Sequence, residues 1–461
     1  MLTVWAAPRA YTPLHGTVQV PSSKSLSARA LILGALSPVR TRIRHVLSSR
    51  DTDLMMAALR SLGVQIDHDE MRDDLVLSSP LATGDAFVGG CTIDCGLAGT
   101  VMRFVPPLCL LADAPVIFDG DEGARRRPVA DLLTALSSVG GDVSFLAHEG
   151  FFPASVGPGS FPATSSVHDD EIHVQVDASA SSQFLSALLM GASQWPMPAV
   201  IWTTGEVVSW PHVQMTIECM RSAGCQVSHI QRDGATHAWR INGFDISVAR
   251  DEHLVILEPD LSNAGPFLAA AMIAGGDVAV DSWPVSTTQA GDAWREILPL
   301  MGAEVEFEPE ESGLGRFRVR GTGEIRGLEM NLSHVGELVP TIAALAAIAG
   351  TQGHRSVLSG IGHLRGHETD RLAALVHVIT LLGGRASADE GTLIIEPSPL
   401  HGAQLPTFAD HRMATFAALI GLAIDDVVVE DVECTSKTLP NFVSLWSSLL
   451  NSSEEVQVSN E

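Results

Sequence analysis

Lysine is nearly missing from this sequence. The 461 residues include 28 basic side chains against 54 acidic ones, a formal charge of −26, and only Lys24 and Lys437 are lysines. The deficit of positive charge argues against general binding of nucleic acid or an anionic membrane, both of which need a basic surface. It leaves room for a small anionic substrate, because a few cations in a cleft can dominate locally. Also missing are CxxC pairs and Cys/His zinc spacings. Cys91, Cys95, Cys109, Cys219, Cys225 and Cys434 stand apart and read as small apolar groups in a reducing compartment. No apolar run is long enough to span a bilayer; Phe416 to Ile424 is among the longest. The start has no charged segment leading into an apolar core, so the chain is expected to be soluble and cytoplasmic. What is abundant is apolar residues, at 46% with a mean hydropathy of +0.21. A chain this long and apolar fills two domains without disulfide or metal staples.

Two kinds of helical segment alternate along it. One kind is small and apolar throughout: LSARALILGAL, TVMRFVPPLCLLA, SQFLSALLMGA, AGPFLAAAMIAGG, PTIAALAAIAG and RMATFAALIGLA. Late positions in these (Gly34, Ala112, Gly191, Gly275, Gly350, Gly421) are separated by 78, 79, 84, 75 and 71 residues. The other kind is amphipathic and stops at Gly63, Gly140, Gly224, Gly302 and Gly383, spaced by 77, 84, 78 and 81. FVSLWSSLL near the C-terminus reads as a truncated sixth copy. Two independent series with one period indicate six copies of one unit: buried helix, strand, amphipathic helix, glycine stop, strands. Helices apolar on every side must be surrounded, so three units per domain are expected, with those helices inside and sheets outside. The polar stretch from Asn451 is expected to be disordered.

Each buried helix begins at a polar cluster. Serine or asparagine there is an ordinary N-cap. A cation opposes the helix dipole, yet Lys24, Arg29, Arg103 and Arg412 all lie in or beside first turns. That placement suggests bound anions.

The residues at these starts resemble the signatures of the 5-enolpyruvylshikimate-3-phosphate synthase family. They are Pro21-Ser-Ser-Lys-Ser-Leu-Ser-Ala-Arg-Ala30, Leu97-Ala-Gly-Thr-Val-Met-Arg103, Ser181-Ser-Gln-Phe-Leu185, Glu368-Thr-Asp-Arg-Leu372, Asp410-His-Arg-Met-Ala414 and Lys437-Thr438, six in family order. The resemblance implies an α/β (α+β) fold of two domains, each of three βαβαββ-type units. This is the enolpyruvyl transferase fold, or inside-out α/β barrel. It also implies transfer of the enolpyruvyl group of phosphoenolpyruvate to the 5-hydroxyl of shikimate 3-phosphate, in the shikimate pathway to chorismate and aromatic amino acids. No metal and no organic cofactor is implied. The partners are the two small anions, with no nucleic acid and no membrane, and the chain is expected to be monomeric.

Carried over position by position, the resemblance gives Lys24 to both substrates, and Ser25 and Arg29 to shikimate 3-phosphate. Ser181, Ser182 and Ser209 would hold its phosphate, and Gln183 would reach both substrates. Gly99, Arg125, Arg371, Arg412 and Lys437 match the phosphoenolpyruvate set. Glu337 stands where the family has the aspartate that accepts the 5-hydroxyl proton. Lys437 is the expected proton donor to carbon, since arginine cannot titrate usefully, with Lys24 and Glu337 as rivals for part of that traffic. Both lysines thus fall in the expected site.

The sequence also departs from the family. Leu97 replaces a common asparagine. His363 and His367 replace an asparagine and a lysine that contact shikimate 3-phosphate. Arg125 aligns only after a one-residue gap, so Arg126 and Arg127 compete for its role. Asp51 and Asp53 match a family motif, but N-capping of the next helix accounts for them.

The related transferase acting on UDP-N-acetylglucosamine has an asparagine where this chain has Ser25, and a reactive loop cysteine not found here. A sixfold DNA clamp would need no cations at buried helix starts. A catalytically dead relative would not keep the lysines, glutamate and arginines together. The domains are expected at 22–254, chiefly for shikimate 3-phosphate, and at 1–21 with 255–461, carrying the glutamate and the phosphoenolpyruvate contacts. Hinges near 21 and 254 are expected to let shikimate 3-phosphate close the domains. Gly99 would leave room for the family inhibitor glyphosate.

Overall fold

The computed structural model describes residues 4–69, 71–72, 74–161, 171–179, 181–205, 207–231, 236–245, 252–310, 313–366 and 368–458. The chain divides into two compact units, Lys24–Leu257 and Met1–Ser23 with Glu258–Glu461. The first holds α1 (Lys24–Leu36), α2 (Arg50–Ser61), α3 (Gly99–Phe104), α4 (Ala130–Ser138), α5 (Ser182–Gly191) and α6 (Trp210–Ser222). The second holds α7 (Leu261–Ala274), α8 (Trp294–Leu300), α9 (Val339–Thr351), α10 (Arg371–Leu381), α11 (His411–Gly421) and α12 (Phe442–Val458).

The odd-numbered helices are the apolar ones, and they form the centre of each unit. Every residue of α11, and of α7 from Leu261 to Ile273, is buried. The even-numbered helices bury one face. In α2 that face is Met55, Ala58 and Leu59, the spacing of an amphipathic helix. The helix stops follow from backbone geometry. Gly63, Gly140, Gly224, Gly302 and Gly383 have φ of +88°, +94°, +88°, +107° and +82°, a region that a Cβ strongly disfavours.

Six sheets surround the helices, three per unit, and five repeat one order. In the second of them, strand Thr92–Asp94 runs parallel to Val116–Asp119. That strand pairs antiparallel with Ala154–Gly159, which pairs antiparallel with Gly141–Phe145. The sheets bury one side: in strand Ile172–Asp177, Ile172, Val174 and Val176 are inside while His173, Gln175 and Asp177 face out. In the sixth sheet Gln404–Leu405 runs parallel to Val428–Glu430, and Val4–Ala6 completes it from the other end of the chain.

The units exchange their first strands through the sequence. Leu14–Val18 pairs with Gly276–Pro284 in the second unit, and Glu252–Ile256 pairs with Arg40–Arg44 in the first. A break at 254 would cut that last strand; the observed division follows Leu257. The polar tail differs from expectation as well, because α12 continues to Val458. Among the described residues no helix is long and apolar enough to cross a membrane.

Candidate active site

In the first unit the expected residues collect at the starts of α1, α3, α5 and α6. Lys24 opens α1, and its Nζ lies 3.2 Å from Asp51 Oδ2. Asp51 is buried in the first turn of α2, but it does not cap that helix. Ser49 does, in a reciprocal pair with Thr52. The capping account of Asp51 is therefore wrong: its carboxylate faces the lysine. Asp53 is exposed in the same turn.

Arg29 is buried and donates from Nε to Thr216 Oγ1 at 2.7 Å, from Nη1 to the Ser25 carbonyl at 2.9 Å and from Nη2 to the His212 carbonyl at 3.0 Å. It thereby ties the start of α1, including Ser25, to α6. Ser181 caps α5, accepting from the Gln183 N–H. Ser182 beside it is buried, and Gln183 Oε1 is buried without a hydrogen-bond partner. Ser209 precedes α6 with φ +51° and ψ +51° and makes no side-chain cap. A non-glycine residue held there is strained, a condition that clusters at functional positions.

The arginine run separates cleanly. Arg125 grips Asp119 with two nitrogens, at 2.8 and 2.6 Å, and is half exposed. Arg126 pairs with Glu122 on the surface. Arg127 turns toward Gly99, as does Arg103 from one turn along α3. A Cβ on Gly99 would lie 2.8 Å from Arg103 Nη1 and 3.1 Å from both Arg127 terminal nitrogens. The geometry thus gives Arg127, not Arg125, the place beside Gly99, because Arg125 is committed to Asp119. Arg103 is the residue that motif reading left without a role. It is buried, its Nε has no partner, and burial first and Arg127 second push its pKa down to about 9. Two guanidiniums meeting in a first turn invite an anion. Leu97 fills the place of the family asparagine with its main chain and a wedge. Its carbonyl accepts from Arg127, and its side chain fits against Gly123.

In the second unit the cations and carboxylates interlock. Arg371, the first residue of α10, is buried and binds Asp410 through Nε at 2.7 Å and Nη2 at 3.2 Å. Asp410 is fully buried and also caps α11 through the Arg412 N–H. Burial raises the Asp410 pKa, but Arg371 and then His411 outweigh it, and the net shift is downward. Arg412 reaches Glu337 Oε2 with Nη2 at 2.9 Å. Glu368 accepts from Lys437 and lies 3.1 Å from His411 Nδ1. His411 is driven toward the neutral form chiefly by burial, although Glu368 opposes this. His363 stands against Gly336, next to Glu337. His367 lies outside the described residues.

Glu368, Asp410 and His411 bring ligand atoms within 4.8 Å of one another, the one such group among the described residues. Lys437 and Arg371 already engage the two carboxylates. Sequence reading did not single out Glu368 as a partner of Lys437, although Glu368 stands in the recognised motif. The two residues are 69 positions apart.

The fold has solved counterparts. The EPSP synthase of Acinetobacter baumannii superposes with a TM-score of 0.77 at 21% identity, covering 97% of this chain and 98% of the other. The enolpyruvyl transferase NikO of Streptomyces tendae superposes at 0.69 with 16% identity and 97% coverage of each chain. The architecture is thus that of an enolpyruvyl transferase. The sequence model described as EPSP synthase (3-phosphoshikimate 1-carboxyvinyltransferase) matches residues 8–446. The 3-phosphoshikimate 1-carboxyvinyltransferase of Bifidobacterium longum (strain DJO10A) is 45% identical over 455 residues, spanning 98% of this chain and 99% of the relative. That of Kocuria rhizophila is 44% identical over 456 residues, spanning 97% of each. The chain belongs to the 3-phosphoshikimate 1-carboxyvinyltransferase family, and it is a transferase that moves an enolpyruvyl group from phosphoenolpyruvate to shikimate 3-phosphate in the shikimate pathway.

Proposed function

We infer that the residues above carry this reaction in two groups, one on each unit. On the first unit, Ser181, Ser182 and the strained Ser209 hold the phosphate of shikimate 3-phosphate, with Ser25 beside them and Arg29 fixing the helix start. Gln183 and Lys24 reach toward both substrates. Arg127 and Arg103, flanking Gly99, take the place first given to Arg125 and attract the phosphoenolpyruvate anion. On the second unit, Arg371, Arg412 and Lys437 match the phosphoenolpyruvate set, while His363 and His367 serve shikimate 3-phosphate.

The bonds balance in two steps. The 5-hydroxyl oxygen adds to the central carbon of phosphoenolpyruvate, losing its proton to Glu337 as the methylene carbon gains one from Lys437. The tetrahedral adduct then loses a proton from the new methyl group, and phosphate departs with its C–O bond electrons. Arg412 Nη2 lies 2.9 Å from Glu337 Oε2 and sets that carboxylate in place. Glu368 accepts from Lys437 and holds its amine in place. This pairing of each carboxylate with a cation carries the reading. The chain is further read as a cytoplasmic monomer, consistent with its acidic, lysine-poor surface.

Single-turnover proton exchange tests the roles. With solvent deuterium, label enters the methylene carbon of phosphoenolpyruvate only when shikimate 3-phosphate is present, and Lys437→Met abolishes it. Incorporation unchanged in Lys437→Met would remove Lys437 from that role.

A further inference from the structure

Gly336 and His363 fit together as socket and plug. Gly336 opens the short turn Gly336–Leu338 that carries Glu337, and His363 lies in the turn Gly362–Gly366. A Cβ on Gly336 would fall 2.3 Å from His363 Nε2, 3.0 Å from its Cε1 and 3.1 Å from Leu364 Cδ2. The imidazole therefore occupies the space a side chain at 336 would need. A hydrogen bond to the Gly360 main chain fixes the ring. We propose that His363 is a positioning residue for Glu337, a neutral strut that holds the turn carrying the base. The proposal rests on the reading that Glu337 takes the 5-hydroxyl proton.

The charges around the ring explain why it must be neutral. Arg371 of α10 faces it, and Glu337 follows Gly336 by one residue with Arg412 of α11 already on its carboxylate. Within its own turn, Arg365 is bound to Asp370 and the Asp389 carbonyl. A protonated His363 would add a further cation near Arg371. Repulsion from Arg371 would then press the imidazolium out of its socket against Gly336 and loosen the turn that carries Glu337. Burial pushes the ring's pKa down; the Gly360 bond partly restores it, and Arg371 lowers it again. The neutral form thus persists below the ordinary histidine range of about 6.5. Turnover is full above the His363 pKa and falls as pH drops through it.

The test is kcat against pH with both substrates saturating, each profile normalised to its own plateau. Wild type shows the acid limb, and in His363→Asn that limb moves down by about one pH unit or more. His354→Asn, at an exposed histidine outside the site, keeps it. A merely structural loss would lower the plateau and leave the limb in place. Gly336→Ala, which fills the socket, lowers kcat about tenfold or more with less effect on the KM for phosphoenolpyruvate. A limb identical in wild type and His363→Asn, or one removed by His354→Asn, overturns the proposal, as does full kcat in Gly336→Ala. Glu337→Gln separates the two levels. If it turns over normally, the reading of Glu337 fails. If it is inactive while the His363→Asn limb stays put, only the strut is wrong.

Discussion

Arg103 and Arg127 converge on one missing side chain: their guanidinium nitrogens lie 2.8 and 3.1 Å from where the Cβ of Gly99 would stand. Arg103 is buried, with its Nε unpartnered and its pKa pushed down to about 9 by burial and by its neighbour. Two guanidiniums converging on one point would attract a small anion there. This answers how a chain with a formal charge of −26 binds two anionic substrates.

Gly99→Ala places a methyl group against both guanidiniums. Because the arginine ends can shift, the anion site should be displaced rather than closed. The KM for phosphoenolpyruvate is expected to rise and inhibition by glyphosate to weaken by about tenfold or more, roughly 1.4 kcal/mol of lost affinity. Steady-state inhibition curves read it, and unchanged inhibition would mean that Gly99 does not border the anion.

The arginine run gives a paired test. Arg127→Ala should lower kcat/KM for phosphoenolpyruvate about a hundredfold or more, as expected for loss of a charge-assisted contact. Arg125→Ala removes only an exposed pair with Asp119 and should stay within a fewfold of wild type. The reverse ranking would restore Arg125 to the site.

Asp410→Ala breaks a buried bidentate pair and the cap of α11 together. Leaving Arg371 buried without its partner should cost about 3–5 kcal/mol, read as a lower denaturant midpoint at pH 7. The Asp410 pKa is lowered in the folded protein. Its contribution is therefore present above the unfolded carboxylate value of about 3.9 and is lost as pH falls through the folded value. Acid unfolding below about pH 4 should be flatter in the variant than in wild type. Equal acid slopes would show that Asp410 is not ion-paired in solution.

The sixfold repeat was readable because two features recur for separate physical reasons: helices apolar on all sides, and glycines whose φ near +90° a side chain would oppose. The exchange of strands Leu14–Val18 and Glu252–Ile256 was legible only roughly, since a strand near a crossing has no local mark of the sheet it joins. Where a motif names its residue, as at Lys24 or Arg412, the structure sets that residue at a helix start beside a carboxylate. Partners chosen in space were not legible. Arg125 and Arg127 are near-identical in sequence, and only the nearby Asp119 removes one of them. Asp51 looks like a helix cap until Ser49 is seen to make the cap. Glu368 gains its role from Lys437, far along the chain.

The most direct measurement is phosphate release from phosphoenolpyruvate by the purified chain, with and without shikimate 3-phosphate. The account predicts release only when both substrates are present, and none in Lys24→Ala. Release without shikimate 3-phosphate, or undiminished release in Lys24→Ala, would contradict it.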